Sequence, residues 1–238
     1  MGTKIIQFSK IHKFSEDFLL NLQFSFLPSP SLNTAKYFAV SGKRGNFAPE
    51  LESIMNDIAT ELAKLHELTG AEFSRQVELI ANMRLFHIVK GEVNIYSAGS
   101  EQDNDYDNLI KAAHKLIKYG YRVFLLPNPK NGRTPDMIIE RKGTYRIYDL
   151  KTITGESSAI NRLKESIGQC NHIIMNMAVN YDARQLGKDI RQFFVLNPNA
   201  IEVMIFKGGR QMIIKRGYAL SQNFVKVFMM RYNNKKSR

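Results

Sequence analysis

The sequence predicts an α/β protein: an αβββαβ core with a mixed sheet in residues 101–238, preceded by a small helical N-terminal region in residues 1–100. Three observations carry this. Between about Asn104 and Val179 the apolar period changes from helical to strand-like and back in that order. The whole charge excess falls after residue 100. A small, polar, acidic stretch from Ala98 to Asp107 divides the two portions, as an interdomain linker does.

Each element follows from local pattern. From Met1 to about Phe47 the pattern is irregular, and Pro28, Ser29, Pro30 and Ser31 interrupt any helix, so an arm is expected. Leu51, Ile54, Ile58, Leu62 and Leu65 recur at steps of three and four, predicting a helix that Gly70 ends; Phe73, Val77, Ile80 and Leu85 predict a second, antiparallel to it. Past the linker, Leu109, Ala112, Ala113, Leu116 and Ile117 predict a helix closed by Gly120. Strands are expected at Tyr121 to Leu126, Met137 to Arg141 and Thr144 to Lys151. A helix capped by Ser157 or Ser158 follows, with Ile160, Leu163, Ile167 and Cys170 as its apolar stripe, and His172 to Val179 returns as a strand. A helix from about Ala183 to Phe194, a hairpin around Gly208 and Gly209, and an apolar helix from Tyr218 to Tyr232 complete the chain.

Composition narrows the function. With 238 residues, 44% of them hydrophobic, the chain can bury a substantial core. One cysteine, Cys170, excludes an intramolecular disulfide and a cysteine-based zinc cluster. No uninterrupted apolar run reaches the roughly 18 residues of a membrane helix, and Lys10, Lys13, Glu16 and Asp17 break the Phe-rich opening. A soluble protein acting in the cytoplasm, with no membrane partner, is therefore expected. Residues 1–100 carry ten basic and ten acidic side chains, so the net charge of +12 belongs entirely to residues 101–238. Such a field attracts polyanions, nucleic acid first among them.

The stretch that carries chemistry is Thr134-Pro135-Asp136 followed by Asp149-Leu150-Lys151. If Lys142 and Gly143 form a two-residue hairpin loop, Arg141 pairs with Thr144 and Asp136 falls opposite Asp149. Directly opposed residues have Cβ atoms about 4.5–5.5 Å apart, and Lys151, two residues on, shares the face of Asp149. Two carboxylates that close repel unless a cation joins them or one gains a proton. Mg²⁺ supplies the compensation: it binds through one or two carboxylates plus phosphate oxygens, polarises phosphorus and acidifies a water. Asp136 and Asp149 are the metal-ligand candidates, and Lys151 is placed to orient or deprotonate the water or to stabilise developing charge. On the following helix Arg162, Glu165, Gln169 and His172 form a polar stripe. Arg162 suits phosphate oxygens and Gln169 a water or the substrate backbone. With Ser157, Ser158 and His172 they make up the expected substrate-binding and supporting set; His172, at the helix end, also suits the dipole there as a cation.

Pro135, Asp136, Asp149 and Lys151 supply all four letters of the motif of the PD-(D/E)XK nuclease superfamily, which the segment from about Asn104 to Val179 resembles. The resemblance implies a metal-dependent nuclease with an extra acid from the first helix, for which Asp107 or Glu101 is the counterpart, and a polar residue from the second, which Gln169 matches. The run through Gly120, Leu126, Pro127, Thr134, Pro135, Asp136, Asp149, Lys151, Ser157, Ser158, Ile167 and Gln169 is also similar to C-terminal RNase domains of bacterial polymorphic and contact-dependent growth inhibition toxins. That similarity implies RNA, often tRNA, as the preferred substrate with DNA still open, delivery within a toxin or phage system, and an immunity protein as partner. Two alternatives stand beside it. A metal-independent, barnase-like RNase would use Lys151, Ser157, Arg162 and His172 for acid/base work, although the helix predicted between the third and fourth strands departs from that fold. A non-catalytic nucleic-acid-binding or phage-type assembly protein would keep the fold and use Lys207, Lys215 and Lys226 for binding.

Overall fold

The computed structural model describes residues 57–100, 105–127, 134–155 and 159–234. The expected arm at 1–47, Leu51 and Ile54 of the first helix, Glu101, Ser157 and Ser158 lie outside the described residues. The chain is a mixed α/β protein. Its elements are α1 (described over 57–64), α2 (Gly70–Ala81), β1 (His87–Ile88), β2 (Ile95–Ser97), α3 (Tyr106–Ile117), β3 (Arg122–Leu125), β4 (Met137–Arg141), β5 (Thr144–Ile153), α4 (Ala159–Glu165), β6 (His172–Met177), α5 (Ala183–Leu196), β7 (Glu202–Lys207), β8 (Arg210–Lys215), α6 (Arg216–Ala219) and α7 (Phe224–Asn233). The expected order of helix, three strands, helix, strand runs from α3 to β6. Among the described residues no helix is long and apolar enough to cross a membrane.

The eight strands form one sheet in chain order, with parallel pairs at β2/β3, β5/β6 and β6/β7 and antiparallel pairs elsewhere. The β4–β5 turn takes positive φ at both central residues, 53° at Lys142 and 75° at Gly143, the conformation of a type I′ hairpin. Its register pairs Arg141 with Thr144 and Met137 with Tyr148. The Glu140 carboxylate steadies the turn by accepting the Gly143 N–H at 2.6 Å.

Side-chain alternation sorts the core onto two faces. On one, α3 presents Leu109, Ala112, Ala113 and Leu116 to Val123, Leu125, Met137, Ile139, Tyr148 and Ile174. The other carries two clusters. Ile58, Leu62, Val77 and Ile80 of α1 and α2 pack with Phe124, Ile138 and Ile147, while Leu163, Leu186, Ile190, Phe194 and Phe228 pack with Ile153, Ile173 and Met175. Ile147 belongs to the first cluster and Ile153 to the second, so Asp149 and Lys151, on the same face, fall in the seam between them.

Several sequence expectations change. Gly70 does not close the first helix but opens α2 at φ 57°; residues 65–67 form the intervening turn. The short strands β1 and β2 extend the sheet, and Ala98 and Ser100, in the expected linker, are buried. The helix expected to run on to Asn171 stops at Glu165, because Gly168 takes φ 83° and tight turn bonds replace the helical ladder. Ile167, expected on its apolar stripe, is 40% exposed, and His172 starts β6 instead of ending a helix. The last expected helix is two, α6 and α7, separated at 220–223.

Candidate active site

The site exists because β5 outruns β4. The β4–β5 ladder ends at Met137 and Tyr148, whereas β5 continues to Ile153 paired only with β6. Beyond that point the Leu150 N–H has no β4 carbonyl to meet, and a carboxylate oxygen of Asp136 accepts it at 2.5 Å. The Asp136 main chain is fixed as well, its N–H donating to the Tyr148 carbonyl at 3.0 Å and its carbonyl accepting the Leu126 N–H at 3.0 Å. The ladder stops one residue short of an Asp136–Asp149 pair, and the Asp136 N–H turns to the Tyr148 carbonyl, but the two carboxyl groups are close enough to interact.

Asp149 is 1% exposed. Its Oδ1 accepts a hydrogen bond from Lys151 Nζ at 3.0 Å, and Oδ2 lies 2.9 Å from the same ammonium without the alignment of a hydrogen bond. The Asp136 carboxyl is held well above the ordinary carboxylate range, first by burial and then by the negative charge of Asp149, against the opposing pull of the Leu150 N–H and Lys151. Asp136 thus keeps its proton beside an Asp149 already paired with Lys151.

These groups line a cleft of about 380 Å³ whose other walls come from Asp105, Asn108 and Leu109 around the start of α3, from Thr134, Thr152 and Thr154, and from Arg162, Glu165 and Gln169 on and after α4. Asp136, Asp149, Lys151, Arg162 and Gln169, singled out in the sequence, therefore share one cavity. Arg162 pairs with Glu165 at 3.1 Å, and the Gln169 amide donates to the Glu165 carbonyl at 2.7 Å, so in this state Gln169 caps the end of α4.

The donor set fits a hard divalent ion that shares its shell with substrate. Among the described residues no group of three or more His, Cys, Asp or Glu side chains is placed to hold a metal alone. Two carboxylates are what Mg²⁺ requires when waters and phosphate oxygens complete its octahedron. The buried Thr134 Oγ1 takes no hydrogen bond, and Asp149 Oδ2 has only its ion pair with Lys151. Thiol chemistry is excluded: Cys170 is buried, its thiol donates to the Ile147 carbonyl at 3.1 Å, and burial pushes its pKa up to about 12.

No protein-family profile and no curated protein matches the chain. Among solved structures, it is similar to the CdiA-CT/CdiI toxin and immunity complex from Burkholderia pseudomallei, with a TM-score of 0.33 and 20% identity, covering 48% of this chain and 90% of that one.

Two expected site residues fall elsewhere. His172 lies outside the cleft, its ring 5.2 Å from that of Tyr148, and burial, helped by Arg146, lowers its pKa to about 4. It is a neutral packed imidazole and not a cation at a helix end. Asp107 does not line the cleft; Asp105, two residues earlier, does. Sequence reading singled out Thr134 with Asp136 but missed Asp105, Asn108, Thr152 and Thr154 as lining residues. The available signal was position alone: Asp105 and Asn108 are three apart at a helix start, and Thr152 and Thr154 continue the strand beyond Lys151.

Proposed function

We propose that the chain is a metal-dependent nuclease that hydrolyses phosphodiester bonds, with RNA as its preferred substrate. The observation that carries this reading is the closeness of the Asp136 and Asp149 carboxyl groups at the point where β4 stops, with the Lys151 ammonium 2.9 Å from Asp149 in the same cleft. Asp136, once deprotonated, and Asp149 would hold Mg²⁺. Bound there, the ion supplies Lewis-acid polarisation of the phosphate and a water of lowered pKa. Lys151, part of its ion pair with Asp149 relieved, donates to a non-bridging phosphate oxygen as negative charge builds on it. Arg162 reaches the adjacent phosphate by exchanging Glu165 for it. Water oxygen bonds to phosphorus, the bond to the leaving oxygen breaks, and the proton released ends on that leaving group or in solvent.

The preference for RNA, a tRNA target and an immunity partner come from the sequence resemblance to toxin RNase domains. Of the metal-free alternative, the burial and lowered pKa of His172 remove one of its four acid/base candidates. Incubating the purified chain with tRNA and with plasmid DNA, in Mg²⁺ or in chelator, tests the proposal. Cleavage should require the metal and vanish in Asp149→Asn and Lys151→Ala. Full cleavage by Asp149→Ala overturns the mechanism, and binding without any product favours the non-catalytic reading.

A further inference from the structure

Helix α5 carries a feature that the cleft does not use. Arg184, Lys188 and Arg191 recur at steps of four and three, so they form one stripe that rises about 10 Å along the helix. With Gln192, Val195 and Val225 of α7 they line a shallow groove of about 530 Å³. Among the described residues none of the three cations takes a side-chain hydrogen bond or an ion pair. The two acids of this helix and its cap are engaged elsewhere. Asp182 caps the Gln185 N–H at 2.7 Å, and buried Asp189 accepts from Tyr181 at 3.0 Å and Gln185 at 2.7 Å.

This arrangement works against the helix that bears it. Like charges at these spacings repel, and Arg184 places a cation in the first turn, where the helix dipole is positive and the Asp182 carboxylate is taken up in capping the Gln185 N–H. Aligned, unneutralised cations of this kind complement a chain of regularly spaced anions. The groove also has a defined relation to the cleft. Helix α4 lines the cleft with Arg162 and Glu165 and packs against α5 through the cluster that includes Leu163, Leu186 and Ile190, so both helices cover the same sheet face. The groove itself lies between α5 and α7, where Val225 closes it.

We propose that the Arg184, Lys188 and Arg191 stripe is a second binding track for the phosphate backbone of the nucleic acid, beyond the phosphate that is cut. This rests on the nuclease reading only for the identity of the polyanion. Such a track reads no bases; it contributes affinity and salt dependence.

The test uses the full chain carrying Asp149→Asn, so that substrate survives, and measures binding of single-stranded RNA of about 20 nucleotides from low to moderate salt. Combining Arg184→Gln, Lys188→Gln and Arg191→Gln should weaken binding at least tenfold at low salt and flatten the log–log salt slope by about 2. A control that removes three exposed cations elsewhere, Lys90→Gln with Lys111→Gln and Lys118→Gln, should change affinity less than threefold. Equal losses in the two triples overturn the proposal, because affinity then follows net charge alone. Polyglutamate bound by the wild-type stripe as tightly as RNA also overturns it and assigns the surface to an acidic protein. Should the triple variant fail to fold by circular dichroism, Lys188→Glu alone must reproduce a loss of several-fold. A wild-type chain that cleaves nothing while the slope still drops refutes the catalytic reading and leaves this one standing; cleavage with an unchanged slope does the reverse.

Discussion

The carboxylate of Asp136 accepts the main-chain N–H of Leu150 at 2.5 Å, so the side chain of one strand completes the hydrogen bonding of the next where their ladder has ended. That single contact fixes where Asp136 points and brings it to Asp149 without any ion present.

Confinement of two carboxylates costs stability that a neutral isostere recovers. The Asp136 pKa is raised in the folded state, so between the ordinary carboxyl value near 4 and its raised value the native chain holds a proton that the unfolded chain releases. Metal-free protein should therefore lose stability as pH rises through that window. Asp136→Asn, which keeps an acceptor for Leu150, should flatten the dependence, gain about 1–3 kcal/mol at pH 8 and abolish cleavage. Urea unfolding in chelator at pH 5 and pH 8 measures this; a wild-type protein more stable at pH 8, with no gain in the variant, contradicts it.

Divalent metal should stabilise the wild-type fold, and more so at higher pH, because Asp136 must lose its proton to serve as a ligand. At a hundredfold excess over Kd the gain is about 2.7 kcal/mol, roughly 5–10 °C in Tm for a chain of this size. Thermal melts with Mg²⁺ or Mn²⁺ should show no such shift in Asp149→Asn. An equal shift in that variant would place the ion elsewhere.

His172 imposes the opposite pH dependence at the acid end. Its pKa falls from 6.5 to about 4 on folding, so the unfolded chain binds the proton more tightly and stability is lost as pH drops from about 6.5 towards 4. His172→Gln should remove up to about 3 kcal/mol of that acid sensitivity and leave cleavage at neutral pH within a fewfold of wild type. A hundredfold loss of cleavage by a folded variant would return His172 to the catalytic set.

Packing of α5 on α7 depends on Gly187, where an added Cβ would lie 3.0 Å from the Phe228 ring. Gly187→Ala should destabilise the chain by about 1–2 kcal/mol by forcing that buried ring aside. Chemical denaturation reads the change, and a neutral or stabilising result would show that the ring moves freely.

The hairpin that brings Asp136 and Asp149 into one cleft was legible in the sequence because a short loop and a period of two determine it: once Lys142 and Gly143 close the turn, the register from Arg141–Thr144 to Met137–Tyr148 follows. The length of α4 was not. Ile167 and Cys170 continue a helical spacing, yet Gly168 adopts a positive φ that ends the helix first, and nothing in the apolar pattern records a dihedral angle. Strands β1 and β2, two and three residues long, are too short to show alternation. The contribution of Asp105 and Asn108 depends on where α3 lies over the sheet, a tertiary fact that spacing within one helix does not contain.

Among the described residues, β5 is the strand whose ladders join β1–β4 to β6–β8, and it also bears Asp149 and Lys151. Proposed catalyst and girder are one segment of chain. Drastic replacements on it confound chemical inactivity with mechanical collapse, so only shape-preserving exchanges, checked by unfolding, can separate the two, and selection for a sturdier or swifter variant must act on the same ten residues.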